Sequence, residues 1–175
     1  MQTIQASEAK TLAVLLDEGL EVLTGLWSGE LYRHEGIAYH IKEAQFLPRP
    51  VQSPRIPIWV ASMWPSKAPL RRAARWDGII PIGRDLPLTA MLTPAQMHAI
   101  ARSVASQPEY TTPYEVVHSG ITGGTDAAHD REVIAAYQQV GVTWWVEKIV
   151  PERWGNWTDW PLEAMRTRMR QGPPR

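Results

Sequence analysis

One stretch constrains the fold more than any other: Arg55-Ile-Pro-Ile-Trp-Val-Ala-Ser-Met-Trp-Pro-Ser-Lys-Ala-Pro-Leu-Arg-Arg-Ala-Ala-Arg-Trp-Asp-Gly-Ile-Ile-Pro-Ile-Gly83. Residues 56–61 are a short apolar, β-branched run, the pattern of a strand buried on both faces. Residues 62–66 are polar and turn-prone, and Ser66 is placed to N-cap a helix reaching Trp76. Leu70, Ala73, Ala74 and Trp76 supply its packing side. Asp77-Gly78 ends that helix, with Gly78 as a left-handed cap, and residues 79–82 begin a second buried strand. Strand, helix and strand in so few residues make a βαβ crossover, so the two strands run parallel.

The rest of the chain repeats the theme. Before it, Leu12, Leu15, Leu16, Leu20, Leu23, Leu26 and Trp27 recur at helical spacing behind a Ser7 cap, with Asp17, Glu18 and Glu21 on the polar side. Residues 31–41 read as a hairpin: Ile37, Tyr39 and Ile41 alternate with polar residues, and Glu35-Gly36 forms the turn. The prolines of 46–57 rule out regular structure there. Beyond the crossover, Thr93-Pro94-Ala95-Gln96 is a capping box opening a helix with Met97, Ile100, Ala101 and Val104 buried. Residues 114–119 make a third strand. A helix carrying Val133, Ile134, Tyr137 and Val140 leads to a fourth at 142–149. A last helix starts at Pro161, buries Leu162, Met165 and Met169, and stops at Gly172-Pro173. This is an α/β pattern that fits a doubly wound sheet and a barrel equally well.

Composition narrows the partners. With 18 basic and 18 acidic side chains the net charge is zero, which gives no basis for nucleic acid or a polybasic membrane contact. No cysteine is present, so disulfides, thiolate nucleophiles and cysteine metal sites are excluded. No apolar run reaches the ~20 residues of a membrane span, and a cytoplasmic setting is expected. There is no Gly-x-Ser-x-Gly, His-Glu-x-x-His or Walker motif, and no metal ligand set is assigned.

The run Pro48-Arg-Pro-Val-Gln-Ser-Pro-Arg-Ile-Pro-Ile-Trp-Val60 resembles the luciferase-like monooxygenase family. Arg71-Arg-Ala-Ala-Arg-Trp-Asp-Gly78, Gly141-Val-Thr-Trp-Trp-Val-Glu147 and Gly172-Pro-Pro-Arg175 resemble the same family. The likeness covers nearly the whole chain and is closest to the family's flavin- or deazaflavin-dependent oxidoreductases. The resemblance selects a barrel: such proteins are (β/α)8 barrels about twice this length. The expected fold is therefore the C-terminal half of a TIM barrel, about four parallel strands with helices. A helix and a β-hairpin insertion precede it, with the hairpin and proline-rich segment at 28–55 inside a single partial domain, 1–175. A half-barrel leaves two open strand edges and unpaired inward faces at Ile58, Val60, Ile80, Val116 and Trp145. Self-association or an N-terminal half-barrel partner is expected in consequence.

Ligands of both architectures collect at the carboxyl ends of strands. The first end offers Ala61, Ser62, Met63 and Trp64, the second Gly83 and Arg84, and the third His118, Ser119 and Gly120. At the fourth, Trp145 and Glu147 share a face. The resemblance implies FMN or a deazaflavin coenzyme held by Ala61, Ser62, Met63, Trp64 and Gly83. Ala61-Ser62 stands where the family often has a Gly-Gly pair against the cofactor. It implies a small-molecule substrate, for which Trp145 and Glu147 would line the barrel interior; no catalytic residue is assigned, and the strand ends offer only Glu147 and His118 as candidates. Arg166, Arg168 and Arg170 read as a solvated helix face, and most of the nine tryptophans as packing residues. Two other readings stay open: a catalytically silent fragment or half-barrel subunit needing a partner, and an aromatic-rich sugar-binding domain.

Overall fold

In the computed structural model, which describes residues 2–174, pairing of the central crossover begins three residues later than the apolar run suggests. The first strand of the crossover, β3, is Trp59–Trp64 and pairs in parallel with β4, Gly78–Gly83, from Trp59↔Gly78 to Trp64↔Gly83. The physical reason lies at Ile58 and Pro57. Pro57 has no N–H to give, and the Ile58 N–H is taken by the Asp77 carboxylate at 2.6 Å. Residues 61–64 are thus strand, not a βα loop. Gly78 is no helix cap either. It opens β4, where a Cβ would come within 2.7 Å of the Glu115 carbonyl oxygen and of the Trp59 ring. The helix between the strands, α2, is only Lys67–Ala73, and Ser66 caps it without its side chain.

Two compact units make up the chain, Met1–Pro57 and Ile58–Arg175. In the first, α1 (Gln2–Trp27) is already helical at Ser7, which therefore is not its cap. The hairpin strands β1 (Tyr32–Glu35) and β2 (His40–Ala44) are antiparallel, but Ile37 and Tyr39 lie in the turn, not in a strand. Glu18 draws them there. Its carboxylate accepts the backbone N–H groups of Ile37, Ala38 and Tyr39 at 2.8–3.1 Å and contacts His34 Nε2 at 2.9 Å. Glu18 is accordingly buried, not on the solvated side. Burial would raise its pKa, but those donors prevail and hold it at about 2.

The second unit is α/β: one four-stranded parallel sheet in the order β3-β4-β5-β6, with β5 at Glu115–Gly120 and β6 at Trp144–Glu147. The strands do not close into a barrel among the described residues. Helices α3 (Pro94–Ala105), α4 (Ala127–Gln138) and α5 (Leu162–Gln171) complete the repeat, and Thr93 and Gln96 form the expected capping box. Register divides the sheet into two faces. Val60, Ser62, Ile79, Val116, His118, Trp145 and Glu147 share one, and Val60, Ile79 and Val116 are buried there with Leu70, Met97, Ile100 and Val104 of α2 and α3. The other face carries Trp59, Ala61, Met63, Ile80, Ile82, Val117, Trp144 and Val146 and is largely open. Across it the Trp59 and Trp144 rings meet with centroids 5.3 Å apart, so indoles of the first and last strands span the sheet.

Candidate active site

Parity along β6 decides what faces where. Trp145 and Glu147 do share a face, as alternation requires, but it is the face shared with His118, and Trp144 and Val146 point to the open side. The indole on the open face is therefore that of Trp144, not Trp145. Trp145 packs instead into an aromatic cluster with His118 (5.2 Å) and Tyr137 of α4 (5.4 Å), and His118 stacks on Tyr137 at 4.2 Å. His118 is 2% exposed and its Nε2 has no hydrogen-bond partner among the described residues. Burial, helped by the Lys148 charge, lowers its pKa to about 4, so the ring is neutral near pH 7.

Glu147 is the centre of the most connected polar cluster in this unit. Its carboxylate accepts the Thr122 backbone N–H (2.9 Å), the Thr122 hydroxyl (2.9 Å), the Trp145 indole N–H (3.0 Å) and an Arg153 N–H (2.8 Å). Arg168 Nε lies 3.3 Å away, and another Arg168 nitrogen donates to the Thr122 hydroxyl at 2.6 Å. Arg153 also donates to the carbonyls of Lys148 and Thr122, tying the ends of β5 and β6 together. Burial pushes the Glu147 carboxyl up, but the N–H, hydroxyl and guanidinium donors hold it below its ordinary value. With its lone pairs so engaged, the Glu147 carboxylate is held as an anion by donors from four residues.

Arg168 was expected on a solvated face and is 5% exposed. The signal that finds it is its i+3 spacing from buried Met165, which sets both on one stripe of α5. Arg153 ends a single 3-10 turn, Pro151–Arg153, and Thr122 sits in a loop, so neither has a periodicity to mark it.

The remaining candidates divide by face. Ala61 and Met63 lie on the open side near the carboxyl end of β3. Ser62 points the other way, 1% exposed, and donates to the Pro69 carbonyl at 3.0 Å. Trp64 ends the strand and its carbonyl accepts the Arg84 N–H at 3.0 Å. The room that Gly83 leaves by lacking a Cβ is filled by the Leu86 side chain, so this glycine serves its own loop. Arg84 reaches across to the Ser66 hydroxyl at 2.7 Å. The loop that follows is pinned by Lys148 Nζ, donating to the Leu88 and Ala90 carbonyls, and by the Tyr137 hydroxyl on the Leu92 carbonyl. Under it lies a cavity of about 220 Å³ lined by Ile82, Leu86, Leu92, His118 and Lys148. A wider groove of about 710 Å³ runs between α4, β6 and α5, over Ile134, Trp145, Ile149 and Met169. Among the described residues no three His, Cys, Asp or Glu side chains gather as a metal site.

These positions give a direct prediction. Ser62→Ala should cost about 0.5–1.5 kcal/mol of stability, the worth of one hydrogen bond, because it removes the hydroxyl's bond to the Pro69 carbonyl. Cofactor affinity should not change. A denaturation midpoint and a flavin titration on the same variant check both halves, and a changed affinity would put Ser62 back at the cofactor.

The family profile for luciferase-like monooxygenases matches residues 8–159. The chain belongs to that family. A curated relative, the F420-dependent glucose-6-phosphate dehydrogenase of Microbacterium testaceum (strain StLB037), is 28% identical over 102 residues. That match takes in 58% of this luciferase-like chain but only 30% of the relative, so the chain spans well under half of the curated protein it matches. No solved structure matches. Four parallel strands with their helices are what part of a luciferase-like barrel supplies. Among the described residues no helix is long and apolar enough to cross a membrane.

Proposed function

We propose that this chain is the C-terminal part of a flavin- or deazaflavin-dependent oxidoreductase that transfers hydride, or activates oxygen, on a small organic substrate in the cytoplasm. The observation that carries the reading is the open apolar sheet face of a luciferase-like chain, with the small Ala61 and the pliant Met63 beside the carboxyl end of its first strand. These two fit a flat ring system, and Arg84, at the end of β4, fits a phosphate. Ser62 and Gly83 do not fit, since one turns toward the helix side and the other is filled by Leu86. When bound, such a cofactor supplies the ring that carries the hydride. The residues here would do the holding: Ala61 and Met63 would exclude water from one side of the ring, and Arg84 would neutralise the phosphate. The relative named for glucose 6-phosphate makes a hydroxylated substrate the first class to try.

A catalytically silent half-barrel subunit is the second reading. It is favoured by the state of the two acid–base candidates, Glu147 saturated with donors and His118 sealed. Either way, closing eight strands needs a first half-barrel or a second copy. Titration with FMN and with a deazaflavin, read by fluorescence quenching, is expected to give weak, saturable binding to the purified chain that strengthens as the chain associates. Sub-micromolar affinity in a monomer would show that this unit carries a whole pocket, and no saturable binding of either cofactor at any degree of association would sink the oxidoreductase reading.

A further inference from the structure

The segment Trp154-Gly-Asn-Trp-Thr-Asp-Trp160 places three tryptophans at every third position, and none of them is core: they are 38%, 53% and 48% exposed. The packing role expected for most tryptophans fails here. Large apolar rings left wet on a stiff loop call for an occupant. The loop is stiff because Asn156 closes it. Its Oδ1 accepts the backbone N–H of Thr158 and Asp159 (2.9 and 2.8 Å) and the Thr158 hydroxyl (2.6 Å). Its root is fixed too: the Arg153 guanidinium lies 4.5 Å over the Trp154 ring while held by Glu147 and the Thr122 carbonyl at the ends of β5 and β6. The loop therefore stands at the carboxyl end of the sheet, the end where α/β proteins bind ligands.

We propose that this loop is a binding subsite for an uncharged sugar ring, stacked on Trp157 and Trp160 and fixed by Asp159 and Asn156. Both indole N–H groups are spent internally, Trp157 on the Glu152 carboxylate and Trp160 on the Trp157 carbonyl at 3.0 Å. What they offer a ligand is ring face, which suits the C–H side of a pyranose. The rings meet edge to face at 5.3 Å and 72°, not as the parallel walls that would enclose a cation. Between them in sequence, the exposed Asp159 carboxylate enters no hydrogen bond or ion pair among the described residues, and the Asn156 amide N–H₂ donates to none. An acceptor and a two-fold donor beside an aromatic face are what ring hydroxyls need. Local charge gives a nucleotide no free cation on the loop: Glu152 and Asp159 are acidic, Arg153 is committed to Glu147, and the nearby Arg166 is paired with Glu163. Because the loop is already ordered, binding would lose little conformational entropy.

The proposal deepens the oxidoreductase reading by naming its substrate class, but the binding itself does not require a cofactor. Saturation-transfer NMR and tryptophan fluorescence with methyl β-D-glucopyranoside as probe, and adenosine as the flat aromatic control, test it on the full chain. The expected result is weak, saturable glucoside binding with transfer from indole protons. Trp157→Ala and Trp160→Ala should each weaken it by about tenfold, the scale of one lost stacking contact, and Asp159→Ala should weaken it by less. All three side chains are exposed, so the variants should keep the wild-type melt. Absent transfer to the glucoside, equal binding of adenosine, or unchanged affinity in both tryptophan variants would overturn the proposal. Cofactor titration of the wild-type chain is a separate readout: absent cofactor binding with sugar binding present would count against the oxidoreductase reading alone.

Discussion

Glu147→Ala is expected to destabilise the second unit by about 3 kcal/mol, the lower end of what removing one partner of a buried ion pair costs. The side chains of Glu147, Arg153 and Arg168 are 18%, 9% and 5% exposed, so the variant leaves two guanidiniums facing each other with little water to separate them. It also frees the Thr122 and Trp145 donors. Against a total of roughly 5–15 kcal/mol for a domain, that loss is large. A urea midpoint shift at unchanged slope would measure it. A loss within about 0.5 kcal/mol, the range of ordinary surface changes, would mean the cluster is only decoration.

The same residue sets a pH dependence. Its folded pKa is depressed, so its stabilisation is fully present above the unfolded value of about 4.3 and drains as pH falls through the lower folded value. Glu147→Gln removes the charge and should flatten that part of the acid limb. Glu18, held at about 2 by the hairpin N–H groups, acts with the same sign in the first unit and loses its grip between its ordinary value and about pH 2.

Local chemistry made part of this fold legible in the sequence. The Thr93–Gln96 capping box is complete within four residues, and the βαβ crossover declares itself because two apolar runs flank a helical connection long enough to carry the chain back over the sheet, which parallel neighbours require. What escaped depends on partners far away in the chain. Ile37 and Tyr39 alternate as strand residues should, yet Glu18, about twenty residues earlier, folds their N–H groups into a turn. Gly78 looks like a cap until Glu115 closes in on it. The facing of β6 was illegible for a different reason. Trp144, Trp145, Val146 and Glu147 give both faces a tryptophan, so alternation fixed the pairing of faces but not which one meets the helices. Helix α4 settles it by offering Tyr137 to Trp145, and α5 by offering Arg168 to Glu147.

The 175-residue chain, purified alone, is expected to associate at micromolar concentration. The reason is the open face. Met63, Ile82, Trp144 and Val146 are each more than a third exposed on it, and full burial of such a side chain is worth ~1.5–3 kcal/mol. Of the residues expected on the unpaired face, Ile80 lies on the open side, whereas Val60, Val116 and Trp145 lie on the helix-covered side and Ile58 is buried, so most of the driving surface comes from other residues. Both edges add to it, because β3 and β6 each have one neighbour and leave a row of N–H and C=O groups unpaired in the sheet. Two copies meeting edge to edge would bring the strand count to the eight of a (β/α)8 barrel. Light scattering after size exclusion reads the outcome. Met63→Lys, Ile82→Lys and Val146→Lys together should shift the chain toward monomer while keeping a cooperative melt, since each of these side chains is more than a third exposed. Val60→Lys, on the covered face and 5% exposed, should unfold the unit instead. A wild-type chain that stays a compact monomer, melts cooperatively and binds no apolar-surface dye would show that this sheet is finished as it stands, and the half-barrel account would fall with it.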